Sequence, residues 1–368
     1  MLTILCYAGP NELSFGHASA IPDILGRAGA TSGLPKGPYW AHRDYPANLI
    51  AERTLARHAV LRKEWSRGFT TLALKDYEPM VMGRVRQLLE SLQERCSLGE
   101  KGTVLDMASW ASYFATDFMG DIMFGGGFEL MEHGGDKHGL WDLLESGLDG
   151  EDQTGRAARP AAEVANDGIL AIIAGSDTTA TILSALVFHL LSNPTAYERL
   201  QAEVDAAFPQ GEEPHDTAKM AGMEYLNACL NEALRLTPAI PNGSPRGVPQ
   251  GEGPQIISGH VVPEGTQVFV HTWTVHRDPR NFPHPTSYIP ERWLSAENNT
   301  AAFIPFSHGP SNCVGKNLAL MEMRMVVCAL LQRFELLPAE GFERWEDSLE
   351  DYFVFKKSPL PVRFIPRG

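Results

Sequence analysis

The sequence predicts a mainly α-helical protein with a small β part. Two stretches without proline, Met80–Glu94 and Ala108–Phe124, carry apolar residues at helical spacing. A third stretch, Ala161–Ser192, is largely apolar and ends at an Asn-Pro pair, which disfavours continuation of a helix. From residue 238 to 263 the composition changes to Pro, Gly and Ser with short β-type runs, which is typical of a small sheet region.

The other predicted elements follow in chain order. The apolar opening Met1–Tyr7 predicts a strand that runs into a turn at Gly9-Pro10-Asn11. The acidic, glycine-bearing stretch Gly134–Pro160 indicates an exposed connection. The remaining helices and strands are expected at Ala196–Phe208, Met223–Leu236, Val261–Val262, Gln267–His271, Lys316–Phe334, Phe353–Phe355 and Val362–Ile365. The chain has no internal repeat, and we expect a single domain over residues 1–368.

Charge and cysteine usage exclude several functional classes. The 368 residues include 31 Lys and Arg against 45 Asp and Glu, a net charge of −14. Such a surface argues against general nucleic-acid binding, which requires basic groups for the phosphates. The five cysteines are scattered and form no C-x-x-C pair, so a disulfide framework or a zinc ribbon is not expected. A reducing, intracellular compartment is therefore favoured.

The N-terminal segment does not resemble a targeting sequence. Met1–Tyr7 is too short for a signal peptide and has no basic residues before it. No uninterrupted apolar run approaches the ~20 residues that a membrane-spanning helix needs. The chain as given is therefore expected to have no membrane span and to be cytoplasmic.

The most informative segment runs from Phe306 to Gly315. A lone cysteine, Cys313, stands between glycines just before an apolar helix. Backbone N–H groups at a helix N-terminus favour a thiolate, and Gly309 and Gly315 would let a flat group approach the sulfur. A structural cysteine buried in a turn is the alternative interpretation. A phosphate-binding P-loop fits less well, because its glycines would be one residue closer and Asn317 would be Ser or Thr.

This segment has the pattern F-x-x-G-x-x-x-C-x-G and resembles the heme-binding loop of cytochrome P-450, the heme-thiolate monooxygenase family. Five further motifs of that family occur in the family's order, and the resemblance extends from about Gly9 to the C-terminus. The motifs are His58-x-x-x-Arg62, Ala174–Thr179 (A-G-S-D-T-T), Glu232-x-x-Arg235, His276–Pro279 (H-R-D-P) and Pro290–Trp293 (P-E-R-W). The resemblance implies the cytochrome P-450 fold.

The resemblance also implies a cofactor and the residues that bind it. The cofactor is heme (iron protoporphyrin IX), with the thiolate of Cys313 as the axial ligand of the iron. His58, Arg62 and Arg246 would reach the heme propionates. Ser311 stands where the family often has a basic residue, so weaker anchoring through the loop is expected. The implied cofactor-binding residues are His58, Arg62, Arg246, Phe306, Gly309, Cys313 and Gly315.

A charge cluster is predicted behind this loop. Glu232 and Arg235 lie three residues apart on one helix face and can form an ion pair, and Arg292 can share the carboxylate. Without the other motifs, an exposed surface pair would be the usual interpretation. With them, we expect the three residues to be buried and structural.

The long central helix carries a candidate proton relay. An acid followed by an alcohol, Asp177-Thr178, stands in an apolar stretch where an unpaired carboxylate would be costly. The alternative is a solvent-facing acid and a threonine bonded to its own helix. Close to metal-bound oxygen such a pair could transfer protons, and these two residues are the expected catalytic ones. Gly175 would leave room for a small ligand.

The chain departs from the family in two regions. It begins near the family's first β-strand, so the N-terminal membrane anchor and the first helix are absent from the sequence given. The connection between Leu140–Leu148 and the central helix is too short to hold the end of the F helix and the G and H helices. In the family those helices cover the substrate cavity.

The expected function is oxidation, for example hydroxylation, of an apolar small molecule in secondary metabolism. The reaction would use O2 and electrons from an NADPH-dependent cytochrome reductase, because the chain has no flavin or dinucleotide motif of its own. The basic residues Arg53, Arg57, Arg62, Lys63 and Arg67 form a cluster in the sequence. Its outer members, Lys63 and Arg67, are the expected docking surface for the electron donor. The alternatives are an inactive heme-binding or truncated remnant and a heme-thiolate rearrangement enzyme. The family usually resides at the endoplasmic-reticulum membrane.

Overall fold

The helical part of the protein forms most of its mass. The computed structural model describes residues 5–26, 33–42, 48–96, 102–137, 161–209, 211–295 and 298–367. Its α-helices are α1 (Ala20–Leu25), α2 (Leu55–Arg67), α3 (Thr71–Cys96), α4 (Met107–Phe124), α5 (Leu130–His133), α6 (Ala161–Ser192), α7 (Pro194–Ala207), α8 (Thr217–Gly222), α9 (Glu224–Leu236), α10 (Thr272–His276) and α11 (Lys316–Arg333). The predicted mainly helical class is confirmed.

The strands form small separate sheets. A four-stranded sheet has the order β1-β2-β7-β4, in which β2 and β7 are parallel, and a three-stranded antiparallel sheet has the order β3-β11-β8. Two hairpins, β5-β6 and β9-β10, complete the β part. The strands are β1 (Leu5–Gly9), β2 (Glu12–Phe15), β3 (Thr103–Asp106), β4 (Arg246–Gly247), β5 (Gln255–Ile257), β6 (His260–Val262), β7 (Gln267–Val270), β8 (Phe334–Pro338), β9 (Glu350–Tyr352), β10 (Val354–Lys356) and β11 (Pro361–Pro366).

The main core lies where α4 crosses α6. Phe114 and Phe118 of α4 and Leu183 of α6 are fully buried, and each such side chain contributes about 1.5–3 kcal/mol through burial. Gly175 allows the close approach of the two helices, because a β-carbon there would lie 2.5 Å from Met119 Sδ. The prediction that Gly175 leaves room for a ligand is therefore wrong: the space is taken by helix packing.

The helix α6 is long and apolar because it runs through this core. Its part Ala165–Ser192 has the length and composition of a membrane-spanning helix, but 61% of the most apolar window is buried inside the protein. Its hydroxyl groups bond to carbonyls one turn earlier, as Ser176 does to Ile172 (2.6 Å) and Ser184 to Ala180 (2.7 Å). Burial of most of this window by other helices is typical of a core helix.

Two predicted boundaries are wrong for local reasons. The helix expected after Pro79 starts at Thr71, because Leu74 and Tyr77 also pack on the core and keep the helix intact across the proline. The strand expected at Phe353–Phe355 is the second half of a hairpin in which Phe353 forms the turn with φ +78°. Part of the acidic connection predicted at Gly134–Pro160, residues 138–160, lies outside the described residues.

The turn residue Phe353 is held by contacts that sequence periodicity does not report. Its N–H donates to Asp351 Oδ1 at 3.0 Å, and its ring lies 5.4 Å from Trp40 and 6.3 Å from Tyr39. These contacts offset the unfavourable positive φ. They also connect the hairpin β9-β10 to the segment before α2, and both border a cavity of about 850 Å³.

Candidate active site

The segment from Phe306 to Gly315 folds as a tight loop before α11. The Cys313 N–H donates to Phe306 O at 2.8 Å, and Cys313 Sγ accepts from the N–H groups of Gly315 and Lys316. The sulfur is thus positioned by the first turn of α11, as the sequence predicts. The side chain of Cys313 is exposed.

The two glycines of the loop, Gly309 and Gly315, differ in what a side chain at each position would contact. Gly309 has φ +70°, and a β-carbon there would lie 2.1 Å from Leu25 O, so glycine is required for packing against the end of α1. A β-carbon at Gly315 would lie 4.0 Å from Cys313 Sγ and 3.5 Å from Phe69, which are ordinary contacts. The sequence analysis explained Gly309 by access of a flat group to the sulfur. The structure explains it instead by packing against the end of α1.

The protonation of Cys313 is governed by opposing effects. Surrounding protein atoms raise the pKa of the thiol, whereas the N–H of Gly315, the charge of Arg62 and the first turn of α11 lower it. Desolvation by those atoms is the larger effect even though the side chain is exposed on one side, so the net direction of the pKa is upward despite the helix N-terminus. Binding of a metal to a cysteine releases the thiol proton, and a metal would therefore complete the ionisation.

Four basic side chains converge beside this loop: those of Lys36, His58, Arg62 and Arg246. Arg62 donates from Nη1 to Asn312 O and from Nη2 to Asn312 Oδ1 (2.8 Å), which ties α2 to the residue before Cys313. Arg246 is only 2% exposed; its Nη1 lies 3.4 Å from Ser311 Oγ, but its Nε and Nη2 have no hydrogen-bond partner. Burial lowers the pKa of Arg246 to about 10. An unpartnered buried guanidinium indicates a site for an anion.

The sequence analysis missed the fourth member, Lys36. This lysine is 5% exposed, donates to Ser244 Oγ at 2.9 Å, and its backbone pairs with that of Arg246. Burial and, secondarily, the charge of Arg246 hold its pKa well below the usual range. A lone lysine 210 positions from its neighbour carries no local signal, so only the fold could identify it.

The neighbouring histidine is kept neutral by this cluster. Burial first, and then the charges of Lys36, Arg246 and Arg62, lower the pKa of His58 to about 4. In the described part of the chain, no carboxylate lies within 4 Å of the charged groups of Lys36 or Arg246. The cluster is therefore short of negative charge. The two propionates of a heme would supply it, so the residues present fit that cofactor.

The three residues of the predicted charge cluster are in direct contact. Glu232 and Arg235 are 0% exposed, and two parallel hydrogen bonds of 2.8 and 2.9 Å join them. Arg292 Nε donates to the same carboxylate at 2.9 Å, and so does Trp293 Nε1. Arg235 Nη1 also donates to the carbonyls of His276 and Pro285, at 2.9 and 2.6 Å. The cluster thus connects α9 to the chain that leads into the cysteine loop.

His276 makes a second connection that the sequence analysis did not assign. Ile304 N–H donates to its Nε2 at 2.9 Å, so the proton of the neutral ring lies on Nδ1, which contacts Arg235 O at 3.1 Å. Burial lowers the pKa of His276 to about 3, which keeps the ring neutral in this role. The ring therefore bridges α9 and the segment two residues before Phe306.

The proposed relay residues line a cavity that has a volume of about 850 Å³. Thr178 donates to Ala174 O at 2.6 Å, the helix-bonded geometry that was the alternative interpretation, while its lone pairs stay available as acceptors. Burial raises the pKa of Asp177, and Lys357 opposes that shift. Cys313 is not among the residues that line this cavity. Its other walls include Trp40, Ile50, Ile169, Leu170, Ile173, Ile240, Phe353 and Phe355.

Comparisons with known proteins agree with this site. The family model described as cytochrome P450 matches residues 12–138 and 136–364, two segments that meet where the described chain is interrupted. A trichothecene C-15 hydroxylase of Fusarium sporotrichioides is 30% identical over 425 residues, covering 98% of this chain and 85% of the relative. The monooxygenases orf5 of Eupenicillium brefeldianum and prhB of Penicillium brasilianum are each 30% identical, over 98% and 97% of this chain and 82% and 84% of theirs. The chain therefore belongs to the cytochrome P450 family, whose members are heme-thiolate monooxygenases.

Proposed function

We propose that this monooxygenase binds heme through Cys313 and oxidises an apolar small molecule of fungal-type secondary metabolism, with electrons from an NADPH-dependent reductase. The observation that carries the proposal is the cluster of Lys36, Arg62 and Arg246 beside the cysteine loop, for which the described residues provide no acidic partner within 4 Å. One relative is a trichothecene C-15 hydroxylase, which supports hydroxylation as the reaction class. The apolar walls of the 850 Å³ cavity support the substrate class.

Each group of residues has a defined part in this function. The Cys313 thiolate would hold the iron, and Lys36, His58, Arg62 and Arg246 would hold the propionates. When bound, the heme supplies oxygen activation, which the axial thiolate favours. The protein excludes water with the apolar cavity wall and moves protons from solvent through Asp177 and Thr178.

The test combines a spectrum with an assay. The reduced, CO-bound protein is expected to give the absorption band of a thiolate-ligated heme, and NADPH with a fungal reductase is expected to give an oxygenated product. A heme-binding chain without turnover is the second candidate, favoured by the division of the family match at residues 136–138. A thiolate-type spectrum without product from a broad panel of apolar substrates would support that second candidate.

Thr178→Ala is expected to uncouple the reaction. The variant loses a hydroxyl that faces the cavity beside Asp177, so protons reach bound oxygen less selectively and reducing equivalents escape as peroxide. NADPH consumption should persist while product per NADPH falls roughly tenfold or more. Product and peroxide should be measured together, with Ser184→Ala as the control on the same helix, because that hydroxyl is buried and bonds to Ala180 O away from the cavity. Unchanged product per NADPH would remove Thr178 from the mechanism.

Charge reversal at Lys63 and Arg67 is expected to slow reduction without loss of heme. Both side chains are exposed on α2, whereas Arg57 on the same helix is already paired with Glu52 (3.1 Å) and Glu163 (2.8 Å). In a chain of net charge −14, such a local basic surface can steer an acidic partner. Stopped-flow reduction across ionic strengths measures the effect, with Arg344→Glu as the control. A rate insensitive to salt and to both reversals would assign the partner to another surface.

A further inference from the structure

We infer that Lys357 is a positioning residue for the relay acid: it acts as the counter-ion of Asp177 and sets how readily that carboxyl exchanges a proton. The inference rests on the proposed function, since it assigns a regulator to the relay proposed there. Lys357 follows β10 directly and lines the same cavity as Asp177 and Thr178. The sequence analysis assigned no role to it.

Lys357 contacts the part of α6 that carries the relay residues Asp177 and Thr178. Lys357 Nζ donates to Thr181 Oγ1 at 3.3 Å, and that hydroxyl donates to the backbone carbonyl of Asp177 at 2.7 Å. Thr181 lies four residues after Asp177, so both side chains are on one face of the helix. The hydrogen-bonded chain thus connects the ammonium group to the backbone of Asp177, and the charges of the two side chains act on each other across the same cavity.

Among the charged groups near Asp177, Lys357 is the one that we assign to the control of its ionisation. Asp106, at the start of α4, is occupied as a helix cap: it accepts from Ala108 N (3.0 Å), Leu360 N (2.7 Å) and Ser109 Oγ. Within the described part of the chain, the Asp177 carboxyl has no hydrogen bond or ion pair of its own. The other titratable groups on the cavity wall are Tyr39, Tyr113, Tyr352 and Lys356, the last 3.9 Å from Glu350.

The two groups affect each other's ionisation in the expected directions. Burial raises the pKa of Asp177, and the charge of Lys357 lowers it. Burial lowers the pKa of Lys357, and the charges of Asp177 and Asp106 raise it. Removing the lysine would therefore raise the pKa of Asp177 further and leave the acid protonated over more of the neutral range.

A role for Lys357 in binding an anionic substrate is less well supported. The charges of two carboxylates, Asp106 and Asp177, act on the lysine, so an anionic group of the substrate would meet a net negative charge there. An ammonium under the influence of two carboxylates is better suited to balance one of them. We therefore assign Lys357 to the relay and treat substrate binding as an outcome of the test.

The first experiment measures the pair without turnover. The lysines of the heme-loaded protein are dimethylated with ¹³C, and the signal of Lys357 is identified by its loss in Lys357→Arg. Its pKa is expected to lie below that of surface lysines and to fall by about one further unit in Asp177→Asn, because an attractive charge is lost. A Lys357 pKa that does not change in Asp177→Asn would overturn the inference.

The second experiment measures coupling against pH. In Lys357→Met, product per NADPH is expected to fall roughly threefold to tenfold at neutral pH, and the pKa that controls coupling should move upward. Lys357→Arg should restore both, whereas Lys75→Met, an exposed lysine of α3, should change neither. Unchanged coupling with weaker substrate binding would instead assign the lysine to the substrate. If the wild-type protein gives no thiolate spectrum and no product, the proposed function fails, while the NMR titration still decides the pair.

Discussion

Cys313→Ala is expected to abolish the thiolate-type spectrum of the reduced, CO-bound protein and all product formation. Cys313 Sγ lies at the first turn of α11, where the N–H groups of Gly315 and Lys316 point at it. Alanine keeps the loop, because the hydrogen bond from the residue 313 N–H to Phe306 O (2.8 Å) is made by the backbone. The loss would therefore report the missing sulfur rather than unfolding.

The other cysteines provide the controls for this prediction. Cys229 and Cys328 are 0% exposed within the main core, so neither thiol faces a site for a ligand, and burial raises the pKa of each to about 12. Alanine substitution at Cys229, Cys328 or the exposed Cys6 should leave the band in place. Thermal unfolding measured beside the spectrum would identify any variant that loses heme through instability. Retention of the band in Cys313→Ala would show that the iron has another ligand.

Local motifs gave the sequence analysis its most accurate predictions. The contact between Glu232 and Arg235 follows from helix geometry, since residues three apart share a face, whereas the burial of the pair was expected only because the other motifs are present. The position of Cys313 before a helix also follows from neighbouring residues. These features depend on short sequence separations, and the structure contains them where they were expected.

Features made by distant segments could not be predicted in this way. Lys36 meets Arg246 through an isolated β-bridge, and Lys357 meets Asp177 through packing of a hairpin end on α6. Neither contact leaves a periodicity or a motif in the sequence. Gly175 shows the related difficulty for small residues: the absence of a side chain suggested space, but the neighbouring helix fills that space with Met119.

Glu232→Ala is expected to prevent accumulation of folded, heme-loaded protein. The carboxylate accepts hydrogen bonds from Arg235, Arg292, Trp293 and the Ile289 N–H, all between 2.8 and 2.9 Å. Its removal leaves two buried guanidinium groups without a counter-ion, which costs roughly 3–5 kcal/mol. Because a domain is stable by only about 5–15 kcal/mol, this loss is a large part of the total.

Urea unfolding and heme content per protein measure the effect of Glu232→Ala together. Glu232→Gln should be intermediate, since the amide keeps an acceptor for one arginine but loses the charge. Glu343→Ala is the matched control, because its pair with Arg344 is exposed and 3.7 Å long, and surface pairs contribute about 1 kcal/mol or less. The chain of contacts from Glu232 through Arg235 to His276 and Ile304 ends just before Phe306. If Glu232→Ala unfolded and bound heme like the wild type and lost only turnover, the cluster would have a catalytic rather than a structural role.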